Sequence, residues 1–212
     1  MSPPGKKRPL RLMVYDDTCR TGAGPLGLTH SWIAGALLYR TLGRLDAWSG
    51  ARSWEQALSF LVDVEPDREI SEIQYWGHGR WGNALLNGEP LDRSSLEIGH
   101  KHHELLAAIR ARLTGPNALW WFRTCETFGA TSGQRFAREW TEFLKCRAAG
   151  HTFIIGPWQS GLHSLKPGER PSWSVEEGLL EGTSDTPRKA AWSGPGRPNT
   201  ISCLRGTIPA SY

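Results

Sequence analysis

The sequence predicts an α/β protein with a mostly parallel central sheet and helices on both faces. Three observations predict it. Stretches of strand pattern alternate with stretches of helical period from residue 10 to residue 165, the order that builds βα units. Ala118-Leu119-Trp120-Trp121-Phe122 is a continuous apolar run, as a strand covered on both faces requires. The run from Ile70 to Trp76 ends on Gly77-His78-Gly79. That puts a histidine with bare backbone on either side at the carboxyl edge of the sheet, where open α/β sheets bind their ligands.

Taken in order, residues 1–8 hold three Pro and a Gly and read as a disordered arm. Leu10 to Tyr15 is a first strand, ending at Asp16-Asp17. After a Gly- and Pro-containing loop, Thr29 reads as the N-cap of a helix to about Arg44, with Trp32, Ile33, Ala36, Leu37 and Leu42 on one stripe. Residues 46–53 are a loop or short strand. Ser53, with Glu55 and Gln56 in the first turn behind it, caps a second helix that Pro66 ends. The strand running to His78 comes next. Asn87-Gly88 then supplies the positive φ of a type I′ turn within a hairpin over 84–91. A helix over 103–113 points Leu105, Leu106 and Ile109 inward and stops at Gly115-Pro116. The apolar strand at 118–122 ends on Arg123-Thr124-Cys125. A small-residue loop over 129–133 leads to a helix from Gln134 to about Arg147, and Thr152-Phe153-Ile154-Ile155 reads as the next strand. Beyond residue 165 Pro, Gly and Ser become dense, and only 173–175 and 200–204 have strand character. Residues 9–165 therefore read as one domain and 166–212 as a tail packed on it.

Composition narrows the function classes. The chain has 212 residues, enough for a core of ordinary size. Its net charge of +4 is mild, and the only basic run, Lys6-Lys7-Arg8, reads as a solvated arm and not a nucleic-acid patch. The amino terminus has no apolar core of a signal peptide, and no apolar run nears the ~20 residues of a membrane helix. The expectation is a soluble, cytoplasmic protein with neither nucleic acid nor membrane as partner. The cysteines Cys19, Cys125, Cys146 and Cys203 form no CxxC pair and no ligand spacing with histidine. His100, His102 and His103 have no chelating companion at the right offset, so neither metal nor cofactor is expected.

Two strand ends carry the chemistry. His78 closes one and Cys125, 47 residues and one helix later, closes another. A right-handed β-helix-β crossover makes such strands parallel, so both ends face one cleft. A thiol is the strongest side-chain nucleophile and needs a base. The oxyanion formed from an attacked carbonyl needs fixed N–H donors, for which the backbones of Gly79 and Cys125 are candidates. These are the parts of acyl transfer through a thioester.

The residues Tyr75-Trp76-Gly77-His78-Gly79, then Leu85-Leu86-Asn87-Gly88, then Trp121-Phe122-Arg123-Thr124-Cys125-Glu126-Thr127 resemble the caspase-like (clan CD) cysteine peptidases. The closest resemblance is to two bacterial branches; one is the CHAT-type peptidases, against which Phe128 is an insertion before Gly129. The other is a bacterial surface-protein head domain of unknown function, whose order Gly133 to Phe136, Gly156 to Gly161 and Trp173 to Glu176 fit. The resemblance spans about residues 10–178. It implies a three-layer α/β/α sandwich and a thiol endopeptidase acting on protein or peptide, with Cys125 as nucleophile, His78 as general acid/base and Gly79 in the oxyanion hole. By family habit it also implies a bacterial stress or defence setting, with a regulatory partner left open. Substrate selection would fall to Asp16, Asp17, Arg123, Trp158 and Gln159. Asp16, Asp17 and nearby Glu126 favour a basic residue before the scissile bond (P1) and Arg123 an acidic one, unless they pair with each other. The count of acids leans to basic.

Two other classes stay open. A catalytically silent caspase-like scaffold for binding or signalling would keep the same residues. A dinucleotide site could use Gly22-Ala23-Gly24-Pro25-Leu26-Gly27, with Asp46 19 residues beyond as the ribose ligand. Against it, the first glycine comes six residues after Asp16 and not directly after the strand.

Overall fold

A computed structural model of the chain describes residues 7–21, 27–209 and 212. Most of the arm and the loop residues Gly22 to Leu26 lie outside them. The protein is a mixed α/β fold built on a six-stranded sheet, and four α-helices stand among the described residues. The chain runs β1 (Leu10–Asp16), α1 (Gly27–Thr41), β2 (Ala47–Ala51), α2 (Trp54–Asp63), β3 (Ile70–Trp76), then three short strands β4 (His78–Arg80), β5 (Asn83–Leu86) and β6 (Glu89–Asp92). After a 3-10 turn at Arg93–Leu96 come α3 (His103–Arg112), β7 (Leu119–Arg123), α4 (Ala130–Leu144) and β8 (Arg147–His151). The remainder is β9 (Trp158–Gln159), β10 (Leu162–Leu165), β11 (Leu179–Gly182), β12 (Pro187–Ala190) and β13 (Ile201–Ser202).

The main sheet has the order β10-β8-β7-β3-β1-β2. Its first five strands in the chain are parallel, and β10 runs antiparallel at one edge. Alternation along each strand separates two faces. Leu12, Val14, Ile73, Tyr75, Trp120 and Phe122 point to one face, where α2, α3 and α4 bury Leu58, Leu61, Leu106, Ile109, Phe136 and Trp140. Met13, Tyr15 and Trp76 point to the other and meet Ala36 and Tyr39 of α1. Further along that second face Trp121, Ala149 and Leu162 are covered by Ile201, with Ile208 and Tyr212 beside it. The carboxyl-terminal segment does there what a helix does elsewhere.

Several elements differ from the sequence reading, each for a packing reason. Helix α1 begins at Gly27 and ends at Thr41; Thr29 is inside its first turn, with its hydroxyl donated to Asp16 O at 2.9 Å. Gly43, at φ +63°, ends the helix in a Schellman arrangement, with Gly43 N–H on Arg40 O and Arg44 N–H on Tyr39 O. Helix α4 starts at Ala130, not Gln134. The small residues of its first turn are there because Gly133 lies against the backbone of Thr127 and Phe128, where a Cβ would come within 2.8 Å of both carbonyl oxygens. The strand after α4 is Arg147–His151, not 152–155. Trp120, Trp121 and Phe128 already fill the space beside it, and a Cβ on Gly150 would meet the Phe128 ring at 2.6 Å. Ala148-Ala149-Gly150 fits where the more apolar run does not. Residues 173–175 are not a strand; the tail's hairpin is β11–β12.

Other expectations coincide with what is seen. Ser53 caps α2, accepting from Gln56 N–H at 3.2 Å, and Asn87 and Gly88 turn the hairpin at φ +52° and +78°. Among the described residues no helix is long and apolar enough to cross a membrane.

Candidate active site

The last register pair between β3 and β7 is Trp76 with Arg123. Two residues further along each chain stand His78 and Cys125, so the two groups emerge at the same level from adjacent parallel strands. What holds them together is Gly79. A Cβ there would lie 2.7 Å from Cys125 O and from the Thr124 side chain, and nearer still to Thr127 Oγ1. The strand bearing His78 is thus laid directly on the loop bearing Cys125. Gly79 has no positive φ among the described glycines, so the requirement is space and not backbone conformation.

Thr124 and Thr127, both fully buried, shape the cysteine loop. Their hydroxyls bond to each other at 2.5 Å, and Thr127 Oγ1 also reaches Asn83 O on β5 at 3.1 Å and Cys125 O at 3.2 Å. In the sequence only the Thr-x-x-Thr pattern flanking the thiol signals these two threonines.

The thiol is half-buried and neutral at rest. Cys125 Sγ accepts a hydrogen bond from Ile155 N–H at 3.4 Å. Burial raises its pKa to about 11, opposed by that N–H and assisted by Glu126. His78 is exposed, its ring edge-on to Trp32 at 6.1 Å between centroids. No hydrogen bond joins the two among the described residues. Without such a bond, nothing but the Ile155 N–H favours the charged sulfur, and the thiol stays protonated.

Glu126 is the unusual acid. It is 8% exposed, sits at φ +55°, and its Oε2 is buried with no hydrogen-bond partner. Burial lifts its pKa to about 7, with Arg80 pulling the other way. Asp16 and Asp17 are engaged elsewhere and do not pair with Arg123. Asp16 accepts from Thr18 N–H and hydroxyl and from Asn87 N–H, and Asp17 pairs with Arg20. Trp158 is 45% exposed.

Arg123 is 2% exposed. Its guanidinium lies between the rings of Trp76 and Trp121, 4.4 and 4.5 Å away, and bonds to Tyr39, Gln159 and the carbonyls of Cys203 and Arg205. Arg123 and Gln159 thus form one cluster, joined at 2.8 Å.

The rival residues also have places. Gly22 to Leu26 are outside the described residues. Asp46 precedes β2 and is bonded to Arg11 N–H at 2.8 Å, at the amino edge of the sheet, opposite the edge where a nucleotide loop would lie. His102 and His103 are taken up by Glu89 and by Leu96 O. No group of three metal-ligating side chains is placed to hold an ion among the described residues. All four cysteines are free thiols.

No protein-family model matches the chain, and no curated protein matches it.

Proposed function

We propose that this chain is a cysteine endopeptidase with a caspase-like fold. The observation that carries the reading is the placement of His78 and Cys125 two residues past the last register pair of adjacent parallel strands, with Gly79 seated on the cysteine loop. A mostly parallel sheet with three helices on one face, and α1 with the terminal segment on the other, supports the same reading.

In this mechanism a peptide carbonyl enters between the two loops. His78 takes the Cys125 proton as Sγ bonds to the carbonyl carbon. The carbonyl electron pair moves to oxygen, where the N–H groups of Gly79 and Cys125 stabilise it. The carbonyl re-forms, the C–N bond breaks, and the imidazolium gives its proton to the leaving amine. Water, deprotonated by His78, then cleaves the thioester and returns the proton to sulfur. A resting thiol near pKa 11 suits this order, because the proton leaves sulfur for His78 only as the carbon–sulfur bond forms and no free thiolate is needed.

A second reading is favoured by that same buried thiol, which has no bond to His78: a caspase-like scaffold that binds without cleaving. One measurement separates them. A panel of peptide acyloxymethyl ketones should label the wild-type protein at Cys125, and Cys125→Ala should abolish labelling while His78→Ala slows it by about 100-fold or more. Absence of labelling across the panel, or labelling that survives Cys125→Ala, would sink the peptidase.

A further inference from the structure

The segment just past β8 walls one side of the thiol. Phe153 O accepts from Glu126 N–H at 3.1 Å, and Ile155 N–H reaches Cys125 Sγ at 3.4 Å. On its other side the same segment is joined to the tail. Ile154 N–H donates to Ala191 O at 2.9 Å, Ser193 N–H to Ile154 O at 2.8 Å, and Ala191 N–H to Gly178 O at 2.7 Å. The cysteine loop, residues 153–155 and tail residues 191–193 thus form one hydrogen-bonded layer.

One carboxylate fastens that layer. Glu177 Oε1 accepts from the Thr152 hydroxyl at 2.7 Å and from His163 Nε2–H at 2.6 Å. Asn199 Nδ2 faces the other ring nitrogen at 3.4 Å, which makes that nitrogen the acceptor and leaves the proton on Nε2. Burial would raise the Glu177 carboxyl, but the His163 and Thr152 donors hold it below the usual carboxylate range. Two glycines with positive φ let the partners close up. A Cβ on Gly161 would lie 1.9 Å from Thr152 Oγ1, and one on Gly178 would lie 2.1 Å from Thr152 O.

The His163 ring stacks on Trp173 at 4.7 Å. Trp173 in turn stacks on Phe128 at 5.7 Å and donates Nε1–H to Phe128 O at 3.0 Å. Contacts therefore run in a circuit from Cys125 through residues 155 to 152, Glu177, His163 and Trp173 back to the cysteine loop. Phe128, which interrupts the CHAT-type pattern, is the residue on which the circuit closes.

We propose that Glu177 is the latch of this wall: its grip on Thr152 and His163 holds residues 152–155 against Cys125, and its release uncovers the sulfur. Release has two opposed effects on the thiol. Sulfur gains water, and it loses the Ile155 N–H. Burial is the larger influence and the N–H the smaller, so release makes the thiol more acidic and more reactive. A thiol brought from about 11 to its ordinary 9.0 gains about a hundredfold in thiolate. Roughly half of that exponent is lost to weaker nucleophilicity, which leaves about tenfold in rate.

The test is alkylation of the full chain by iodoacetamide at about pH 8, below the pKa of both states, read by mass spectrometry at each cysteine. Glu177→Ala should speed modification of Cys125 about tenfold and leave Cys146 unchanged. Cys146 is fully buried directly before β8 and reports opening of the fold as a whole. Glu176→Ala, at the exposed neighbouring acid, should leave Cys125 at the wild-type rate. Thr152→Val keeps the shape and removes one hydroxyl, so it serves if Glu177→Ala does not fold; it should speed Cys125 about threefold. An unchanged or slower Cys125 in the folded variants overturns the latch. Equal acceleration at Cys146, or in Glu176→Ala, overturns it as well. Iodoacetamide needs no recognition site, so failed labelling by the peptide ketones would end the peptidase reading and leave this result intact, and the converse holds.

Discussion

On the helical face of the sheet, Ile73, Tyr75, Trp120 and Phe122 are packed under α2, α3 and α4 in an apolar and aromatic cluster. On the opposite face Gln74 and Arg123 are buried beside Trp76 and Trp121, under α1 and the terminal strap. The two faces answer different demands. Hydrocarbon needs only close packing, which a rigid helix supplies along its length. Buried polar groups need partners at set positions, and here the strap brings them as backbone carbonyls. The first arrangement serves stability. The second leaves a buried polar cluster closed over by an irregular segment.

The largest expected effect breaks the helical face. Trp140 is fully buried against Trp120, Phe122 and Phe136. Trp140→Ala should lower stability by about 3–5 kcal/mol in urea denaturation, and Ile201→Ala on the strap by only about 2 kcal/mol. Equal losses would mean that the strap is as firmly built in as the helices.

Gly79→Ala comes next. Its methyl would press on Cys125 O and Thr127, and overpacking of this kind costs about 1–3 kcal/mol. The loops can relieve it by separating, so labelling at Cys125 should fall further than stability does. A variant that labels at the wild-type rate would show that this contact does not set the site.

The smallest net effect is in the pH dependence of the wild type, because two buried groups act with opposite sign. His151 is fully buried with Nε2 unpartnered, and desolvation lowers its pKa to about 3 from 6.5. The unfolded chain binds that proton first, so His151 removes about 1.4 kcal/mol of stability per pH unit as pH falls from 6.5 toward 3. Glu126 has its pKa raised to about 7 from 4.5, so the folded state binds the proton first. It removes a similar ~1.4 kcal/mol per unit as pH rises from 4.5 to 7. Between 4.5 and 6.5 the two oppose each other. Denaturation midpoints across that range should be nearly flat in the wild type, fall on acidification in Glu126→Gln, and rise on acidification in His151→Asn. Parallel profiles for all three proteins would disprove these assignments.

Much of the fold was legible because it depends on local rules. The Asn87-Gly88 turn and the Ser53 cap require particular φ values or a single hydroxyl, and both stand where their residues imply. Strand β8 was not legible, since Ala148-Ala149-Gly150 is chosen by the bulk of Phe128 and two tryptophans from other elements. At the site, the level placement of His78 and Cys125 could be reasoned from two strand ends and one crossover. Gly79 is marked in the sequence by its bare backbone, but the surface it packs on, Thr124 and Thr127, exists only in the fold.

By itself, then, the sequence determined the alternation of strands and helices, the turn chemistry, and which strand ends carry an imidazole and a thiol. All of these follow from hydrophobic period and backbone conformation over a few residues. Only the tertiary structure decided that Arg123 is buried, that Asp16 and Asp17 are engaged away from it, that the Cys125 thiol is neutral, and that the last segment closes one face. The partners of Arg123 lie as far as 84 residues away in sequence, at Tyr39. Burial and charge are properties of whatever the fold brings near, and no local pattern records them.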